Sequence, residues 1–565
     1  MNMNRGRLTL LIFTLSTTCG ANAQTYTYET HSKQVSLSAS VSPLPNGFGQ
    51  LGETIDFNTG SLSFKKTIVE IPGNNSLRVA ADYEFAIWDR LGWYSRYELR
   101  RAVPYIVGIH SYDHGWVVGG PSNYTANRCS DPARKSVAAV IRSTKPPRDN
   151  FIPDDYWDGN SLMGVEGGGI IRPIDQNELG IQGVSATWAT NGGWRFSCYL
   201  LPDGSEGFVG HAKNGDKYFF GTPERGPDSL WIMSNFRPDA ESWIDVSLYK
   251  MHLRRIEDKF GNWVNYEQDR IVSSDGRIIN FYPDRVEANG KQWLLTYLAG
   301  PNGTGVPYSY TITNPDNTRW SVSSSNVISS PSSNHDSTCI SEQSLTMSIG
   351  GETTLAVTAE SGITGTFKIQ PKRRGFSHVP YQCMQISTPG PSYANTQNYV
   401  DEPALVERTI SGPGIEPLNH VIDYGPVNAC YETSPATSTP DPCSPSSPDY
   451  RTVTVTGSDG TSESYTYGNR YLTNAGLLLK HKIGNLQETT YEYATPYQNF
   501  NGIGKRRIYN TQDIMVVITK RRVIKRDGVN FTWSIANDCG IGAQSLCIDS
   551  LYRATKIITS SSNTP

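Results

Sequence analysis

Long apolar runs are missing from this chain beyond its first two dozen residues, and a bilayer-spanning helix needs about 20 of them in a row. Charge of one sign is missing too. Against 53 Asp and Glu stand 50 Lys and Arg, a formal net charge of −3 with no field to draw the protein to nucleic acid or to an anionic membrane. Helical periodicity is nearly absent. So are the short signatures of familiar chemistry: there is no HExxH, no GxSxG, no GxxxxGKS and no CxxC. Nothing in the pattern calls for a cofactor. Of the nine histidines, only His110 and His114, with Asp113 between them, lie close together. They form a candidate loop zinc site whose competing explanation is a solvated turn with two exposed histidines.

What is present begins with a leader. Arg5 and Arg7 precede an apolar run from Leu8 to Leu15, and small residues follow, ending Ala21-Asn22-Ala23. This reads as a signal peptide over 1–23, with Gln24 opening an exported chain that is periplasmic, secreted or held at the cell surface. Cys19 raises lipid attachment as an alternative, but Ser16-Thr17-Thr18 lacks the pattern expected ahead of a lipidated cysteine. Eight cysteines remain, Cys129, Cys198, Cys339, Cys383, Cys430, Cys443, Cys539 and Cys547. In an oxidising compartment an even set reads as disulfides, and pairing each with its neighbour in sequence is the least demanding topology.

With 52 Gly, 34 Pro and 31 Tyr, the chain is punctuated into short runs where Thr, Val, Ile and aromatics alternate with polar residues, an all-β composition. A turn dipeptide followed by an alternating aromatic strand recurs at Asp203-Gly204, Asn214-Gly215, Asp275-Gly276, Asn289-Gly290, Asp459-Gly460 and Asp527-Gly528. Each predicts a hairpin reversal with positive φ at both central positions. Gly60, Gly73, Gly261, Gly276, Gly290 and Gly460 are the structural turn glycines of this reading. Gly261, Gly276 and Gly290 stand 15 and 14 residues apart, room for one strand, a reversal and the next strand. The stretch Arg254 to Tyr297 is therefore expected to be a consecutive antiparallel meander with Trp293, Leu295 and Tyr297 on one face.

The length predicts several domains. After the signal peptide come an extended lead-in over 24–45, an N-terminal β domain over 46–250, a β meander over 251–322, a further β region with a Ser/Asn-rich loop over 323–432, a Pro/Ser/Thr-rich loop over 433–450 and a C-terminal β segment over 451–565. The basic clusters Lys372-Arg373-Arg374, Lys505-Arg506-Arg507 and Lys520-Arg521-Arg522 are read as charges that protect strand edges. Asp154, Asp155 and Asp158 are weak calcium candidates, and a plain Asp-Gly-Asn turn competes with that reading. Trp88, Trp93, Trp116 and Trp157 are candidates for stacking on sugars, although most tryptophans belong in cores.

Several segments resemble the Rhs/YD-repeat family over most of residues 50–555. The entry Phe57-Asn58-Thr59-Gly60-Ser61-Leu62-Ser63-Phe64, followed by Ile71-Pro72-Gly73-Asn74-Asn75-Ser76-Leu77, is similar to the opening of such secreted bacterial proteins. Tyr156 to Leu162, Asn214 to Phe220, Asp258 to Tyr266 and Ser274 to Ile279 fall in the expected order, and the last two resemble degenerate YD repeats. The resemblance implies a long sheet of stacked repeats curling into a full or partial shell that encloses or presents another polypeptide. Nothing here resembles the family's terminal core motif or a toxin module. The function expected is a non-enzymatic shell segment of a polymorphic-toxin-like or cell-surface protein, with shell remainder, toxin cargo or a cell-surface component as partner. A secreted adhesive or glycan-binding β protein is the alternative, and a secreted hydrolase the third reading.

Overall fold

The structure is a computed structural model that describes residues 48–563 apart from several internal stretches, the longest being 87–97, 144–158, 175–185, 234–241, 299–307, 326–351, 431–442 and 495–517. No helix occurs among the described residues, and the all-β reading holds throughout. Strands β1 (Glu53–Asp56), β2 (Ser61–Ile71), β3 (Val79–Ala86) and β4 (Glu98–Arg101) form a four-stranded antiparallel sheet in chain order. Then come β5 (Tyr105–Ser111), the small hairpin β6 (Val118–Gly120) and β7 (Asn123–Thr125), β8 (Ile141–Ser143), β9 (Asn160–Met163), β10 (Gly169–Pro173), β11 (Trp188–Ala189), β12 (Arg195–Leu200), β13 (Glu206–His211), β14 (Lys217–Met233) and β15 (Ser242–Glu257). Eight of these, β5 and β9 to β15, close into an antiparallel barrel.

The barrel is filled, not hollow. Trp116, Trp188, Trp194, Phe196, Phe208 and Phe220 are buried inside it. Cys129 pairs with Cys198 of β12 at a Cα separation of 5.6 Å, fastening the segment after β7 into this core. Arg128 donates to the Trp116 carbonyl at 2.9 Å and to the Glu206 carbonyl at 3.0 Å, so a buried cation is satisfied by backbone oxygens.

β15 links the barrel to a second architecture. Along one side its 16 residues pair with β14, and along the other they pair in succession with β8, β5 and β16 (Trp263–Tyr266). The sequence boundary at residue 250 thus falls inside a continuous strand. From β16 the chain runs as a meander through β17 (Arg270–Ser273), β18 (Ile278–Phe281), β19 (Arg285–Ala288), β20 (Lys291–Leu298), β21 (Ser309–Thr313), β22 (Arg319–Ser324), β23 (Thr353–Thr358) and β24 (Thr364–Gly375). The separate hairpin β25 (Cys383–Thr388) and β26 (Gly390–Asn395) interrupts it. The sheet resumes with β27 (Tyr399–Gly412), β28 (Ile415–Asp423), β29 (Tyr450–Gly457), β30 (Ser462–Gly468), β31 (Leu478–Ile483), β32 (Gln487–Ala494), β33 (Ile518–Arg526), β34 (Val529–Ile535) and β35 (Ile557–Asn563). Every neighbouring pair is antiparallel, each strand against the next. The expected 254–297 meander is present, with two four-residue strands between successive turn glycines.

A sheet of this kind has an apolar face that one layer cannot bury, and the four-stranded sheet covers it. Their side chains form one core. Phe85 of β3 meets Tyr310 of β21 at 5.7 Å, Phe64 of β2 meets Phe367 of β24 at 5.0 Å, and Phe57 beyond β1 stacks on Tyr465 of β30 at 4.9 Å. Arg277, in the β17–β18 turn, reaches the carbonyls of Ile71 at 3.2 Å and Leu77 at 3.1 Å at the far end of β2. At the near end the Gly60 carbonyl accepts from Leu405 of β27. One strand therefore spans from the β17–β18 turn to β27. Eleven residues of β2 extend about 36 Å, close to the seven or eight interstrand steps of about 4.8 Å that this crossing requires. The covering strands run across the long sheet, an orthogonal packing.

Several local expectations are corrected. Positive φ at both central positions holds at Asn289-Gly290 and Asp527-Gly528, but at Asp203-Gly204, Asn214-Gly215, Asp275-Gly276 and Asp459-Gly460 only the glycine has it. There the glycine N–H returns to the residue three earlier, as from Gly276 to Ser273, while Ser273 N–H bonds the Arg277 carbonyl: a type I turn closed by a left-handed glycine bulge. Gly60, Gly261 and Gly460 also have positive φ. Gly73 does not; a Cβ there would lie 2.2 Å from the Arg277 guanidinium carbon, so close approach is what requires glycine. Lys520-Arg521-Arg522 is not at an edge either, since β33 is paired on both sides and Arg521 meets Glu492 of β32 at 2.7 Å. Lys505-Arg506-Arg507 lies outside the described residues.

Candidate interaction surfaces

The predicted chemical groups are dispersed by strand alternation. Along β5, Ile106 and His110 share the inward face, so the His110 ring is fully buried, stacked on Trp116 at 4.5 Å, with Nε2 3.1 Å from Asn160 Oδ1. It is not the exposed partner of His114 that the sequence spacing offered, and it forms no zinc site with it. Asp113 instead pairs with Arg142 at 2.8 Å. Burial, with the Arg128 charge nearby, pushes the His110 pKa down to about 3. Trp116 belongs to the core. The calcium candidates Asp154, Asp155 and Asp158, and also Trp88, Trp93 and Trp157, lie outside the described residues. Asp538, Cys539 and Cys547 form the one metal-like grouping among the described residues, but the two sulfurs are bonded to each other.

Three of the four predicted disulfides are formed, Cys129–Cys198, Cys430–Cys443 and Cys539–Cys547. Cys339 lies outside the described residues, and its pairing with Cys383 with it. Bonds of this kind point to an oxidising environment.

Two buried polar clusters had no signal in the sequence. Arg408 of β27 and Glu53 of β1 are both fully buried, with Nε to Oε1 at 3.0 Å. The same carboxylate accepts the Gly49 and Leu51 amides at 2.8 Å, and Arg408 lies over the Phe48 ring. Desolvation lowers the Arg408 pKa against the pull of Glu53. Three strands on, at β30 and β31, Glu463 Oε2 accepts from Tyr465 OH at 2.9 Å and lies 2.9 Å from His481 Nε2, while the Tyr465 ring is sandwiched between Phe57 and His481. Burial raises the Tyr465 pKa. Both clusters sit under the covering sheet, where they fix its register on the long sheet.

That cover thins toward the last strands. The cross-strand row Tyr465, His481, Thr489, Ile524, Phe531, Ser561 lies on one face of β30 to β35, set by the register. Tyr465 is 0% exposed, His481 6% and Thr489 4%, Ile524 is half-buried, and Phe531 is 49% exposed. Along this row the face is buried through β32 and exposed at Phe531, while Trp533 and Ile535 on the same face of β34 are buried in a small core of their own. β33 carries five cations in nine residues, Lys520, Arg521, Arg522, Lys525 and Arg526. β35 pairs with β34 over all seven of its residues, and among the described residues no strand lies on its other side. It has no proline, lysine or bulge of the kind that blunts an edge.

Comparison with known protein families and with curated proteins finds no match to this chain.

Proposed function

We propose that the chain is an exported, non-enzymatic β-shell segment of the Rhs/YD-repeat kind whose last strands hold another polypeptide. The observation that carries this reading is the gradient along one face: the row buried at Tyr465, His481 and Thr489 becomes a partly exposed apolar strip at Ile524 and Phe531, one strand in from β35, whose outer edge has no partner strand among the described residues. An incoming extended segment would pair its backbone with β35 and lay alternate side chains on that strip, the usual mode of strand addition. The disulfides and the leader over 1–23 support export through the Sec pathway. The non-enzymatic part rests on the polar clusters: His110, Glu463 with His481, and Glu53 with Arg408 are turned into cores and used to satisfy burial.

The test is to co-produce the full chain with the polypeptide encoded next to it and measure co-purification at high salt. A stable complex lost on Phe531→Asp, with the thermal midpoint of the free chain unchanged, is the expected result. A complex insensitive to Phe531→Asp, or no complex, refutes the placement.

A further inference from the structure

The outer face of the meander carries a second feature, unrelated to the inner strip. Register places Arg270, Asn280, Glu287 and Gln292 directly beside one another on β17, β18, β19 and β20. Four planar hydrogen-bonding side chains thus form a row across four strands at steps of about 4.8 Å. Ile278, 43% exposed, flanks the row along β18 on one side, and Tyr282, with Arg285 stacked on its ring at 4.0 Å, flanks it on the other. Between the Asp275-Gly276 and Asn289-Gly290 turns the surface dips into an open concavity of about 360 Å³ lined by Ile278, Asn280, Glu287, Lys291 and Gln292, at the small end of the range for ligand sites.

Part of the row's hydrogen-bonding capacity is already spent and part is open. Glu287 Oε1 accepts from Arg285 Nε at 2.7 Å and from Gln292 Nε2 at 2.9 Å, which holds the carboxylate still and partly neutralises it. Its second oxygen, the Gln292 carbonyl oxygen and both ends of the Asn280 carboxamide have no partner among the described residues. Those groups offer acceptors and donors together, in planes, which is what adjacent sugar hydroxyls need because each hydroxyl both donates and accepts. The spacing of the row is close to the length of one pyranose. Opposite charges within it give no net attraction for an anion.

We infer that this row is a binding site for a neutral glycan chain lying across the strands, about one sugar to each strand, with Ile278 and Tyr282 against the apolar sugar faces. The inference stands independently of the polypeptide partner, because it uses the opposite face of the sheet.

The experiment is calorimetric titration of the full chain with β-1,4-glucan, β-1,4-mannan and N-acetylchitin oligosaccharides of two to six units, with oligogalacturonate as the charged control. At least one neutral series should bind, its affinity rising to a length of four units and then levelling. The double variant Asn280→Ala with Gln292→Ala should lose at least tenfold in affinity at an unchanged thermal midpoint, while Thr311→Ala elsewhere on the same face leaves binding intact. Absence of binding by every neutral series at millimolar concentration, equal binding by the double variant, or stronger binding of oligogalacturonate would overturn the site.

Discussion

His110 makes the barrel acid-sensitive in a way that can be calculated. In the unfolded chain an imidazole titrates near 6.5, whereas in the folded barrel its pKa is about 3 because the ring is sealed between Trp116 and Tyr249 with the Arg128 charge nearby. Between those values the unfolded chain binds a proton that the folded one excludes, so stability is complete above about pH 6.5 and falls as pH drops toward 3. The loss from this one group is about 2 kcal/mol at pH 5 and about 4 kcal/mol at pH 3. Asp275, held down to about 2 chiefly by its hydrogen bond from Arg277, loses its contribution only below the ordinary carboxylate range, so the window from pH 7.5 to 5 isolates the histidine among these two. The perturbation is His110→Gln, which keeps an amide donor for Asn160 and removes the proton site. Urea unfolding followed by tryptophan fluorescence reports the barrel, since Trp116, Trp188 and Trp194 are in its core. The wild type should lose about 2 kcal/mol more than His110→Gln between pH 7.5 and 5. Equal losses in the two proteins would show that His110 is hydrated or already charged in the folded state, and the account of the barrel core would fail.

Three further outcomes follow from the geometry. Gly290→Val should cost about 1–3 kcal/mol, because the site is open in space but its φ of 71° is strained for a β-branched residue, whereas Lys291→Ala should cost under about 0.5 kcal/mol; thermal unfolding of the two separates strain from packing. Glu53→Ala should cost about 3–5 kcal/mol by leaving Arg408 buried without its partner, while the double change Glu53→Leu with Arg408→Met should recover much of that in the same denaturation assay. Alkylation with and without denaturant should find Cys129 and Cys198 protected in protein recovered from an oxidising compartment, and Cys129→Ala should lower barrel stability by about 2–5 kcal/mol.

What the sequence made legible was local. Asn-Gly and Asp-Gly dipeptides mark real reversals because turn geometry is decided within four or five residues, and the 14- and 15-residue glycine spacing became two strands per interval for the same reason. The shared face of Trp293, Leu295 and Tyr297 follows from alternation; the first two pack on the core, while Tyr297 sits 49% exposed with its ring stacked on Tyr310 at 4.4 Å. His110 was misplaced by proximity in sequence to His114, although the alternation of Ile106, Gly108 and His110 carried the inward signal. Glu53 and Arg408 are separated by 355 residues, and no local pattern announces a buried ion pair assembled across two sheets. The glycan row was hidden in the same way, since Arg270, Asn280, Glu287 and Gln292 become neighbours only once three registers are set.

The transverse sheet explains why so long a meander holds together on one side and stays open on the other. Strands added one after another each bury one edge in hydrogen bonds but leave the apolar face to be covered by something else, and repeated units cannot do that for themselves. β1 to β4 act as a strut laid across the repeats, so a single strand such as β2 braces eight or more of them at once. Its two ends are pinned by polar contacts that tolerate little slippage: Arg277 gripping the β2–β3 turn through Ile71, Leu77 and Asn75, and Arg408 gripping β1 through Glu53. A strut has finite length. Phe57 on Tyr465 marks its reach at β30, and the strands after β32 have a small core of their own, Trp533, Ile535 and Cys547 behind the Cys539–Cys547 bond. Phe531, 49% exposed, lies beyond the reach of the strut, on strands that this small core holds instead.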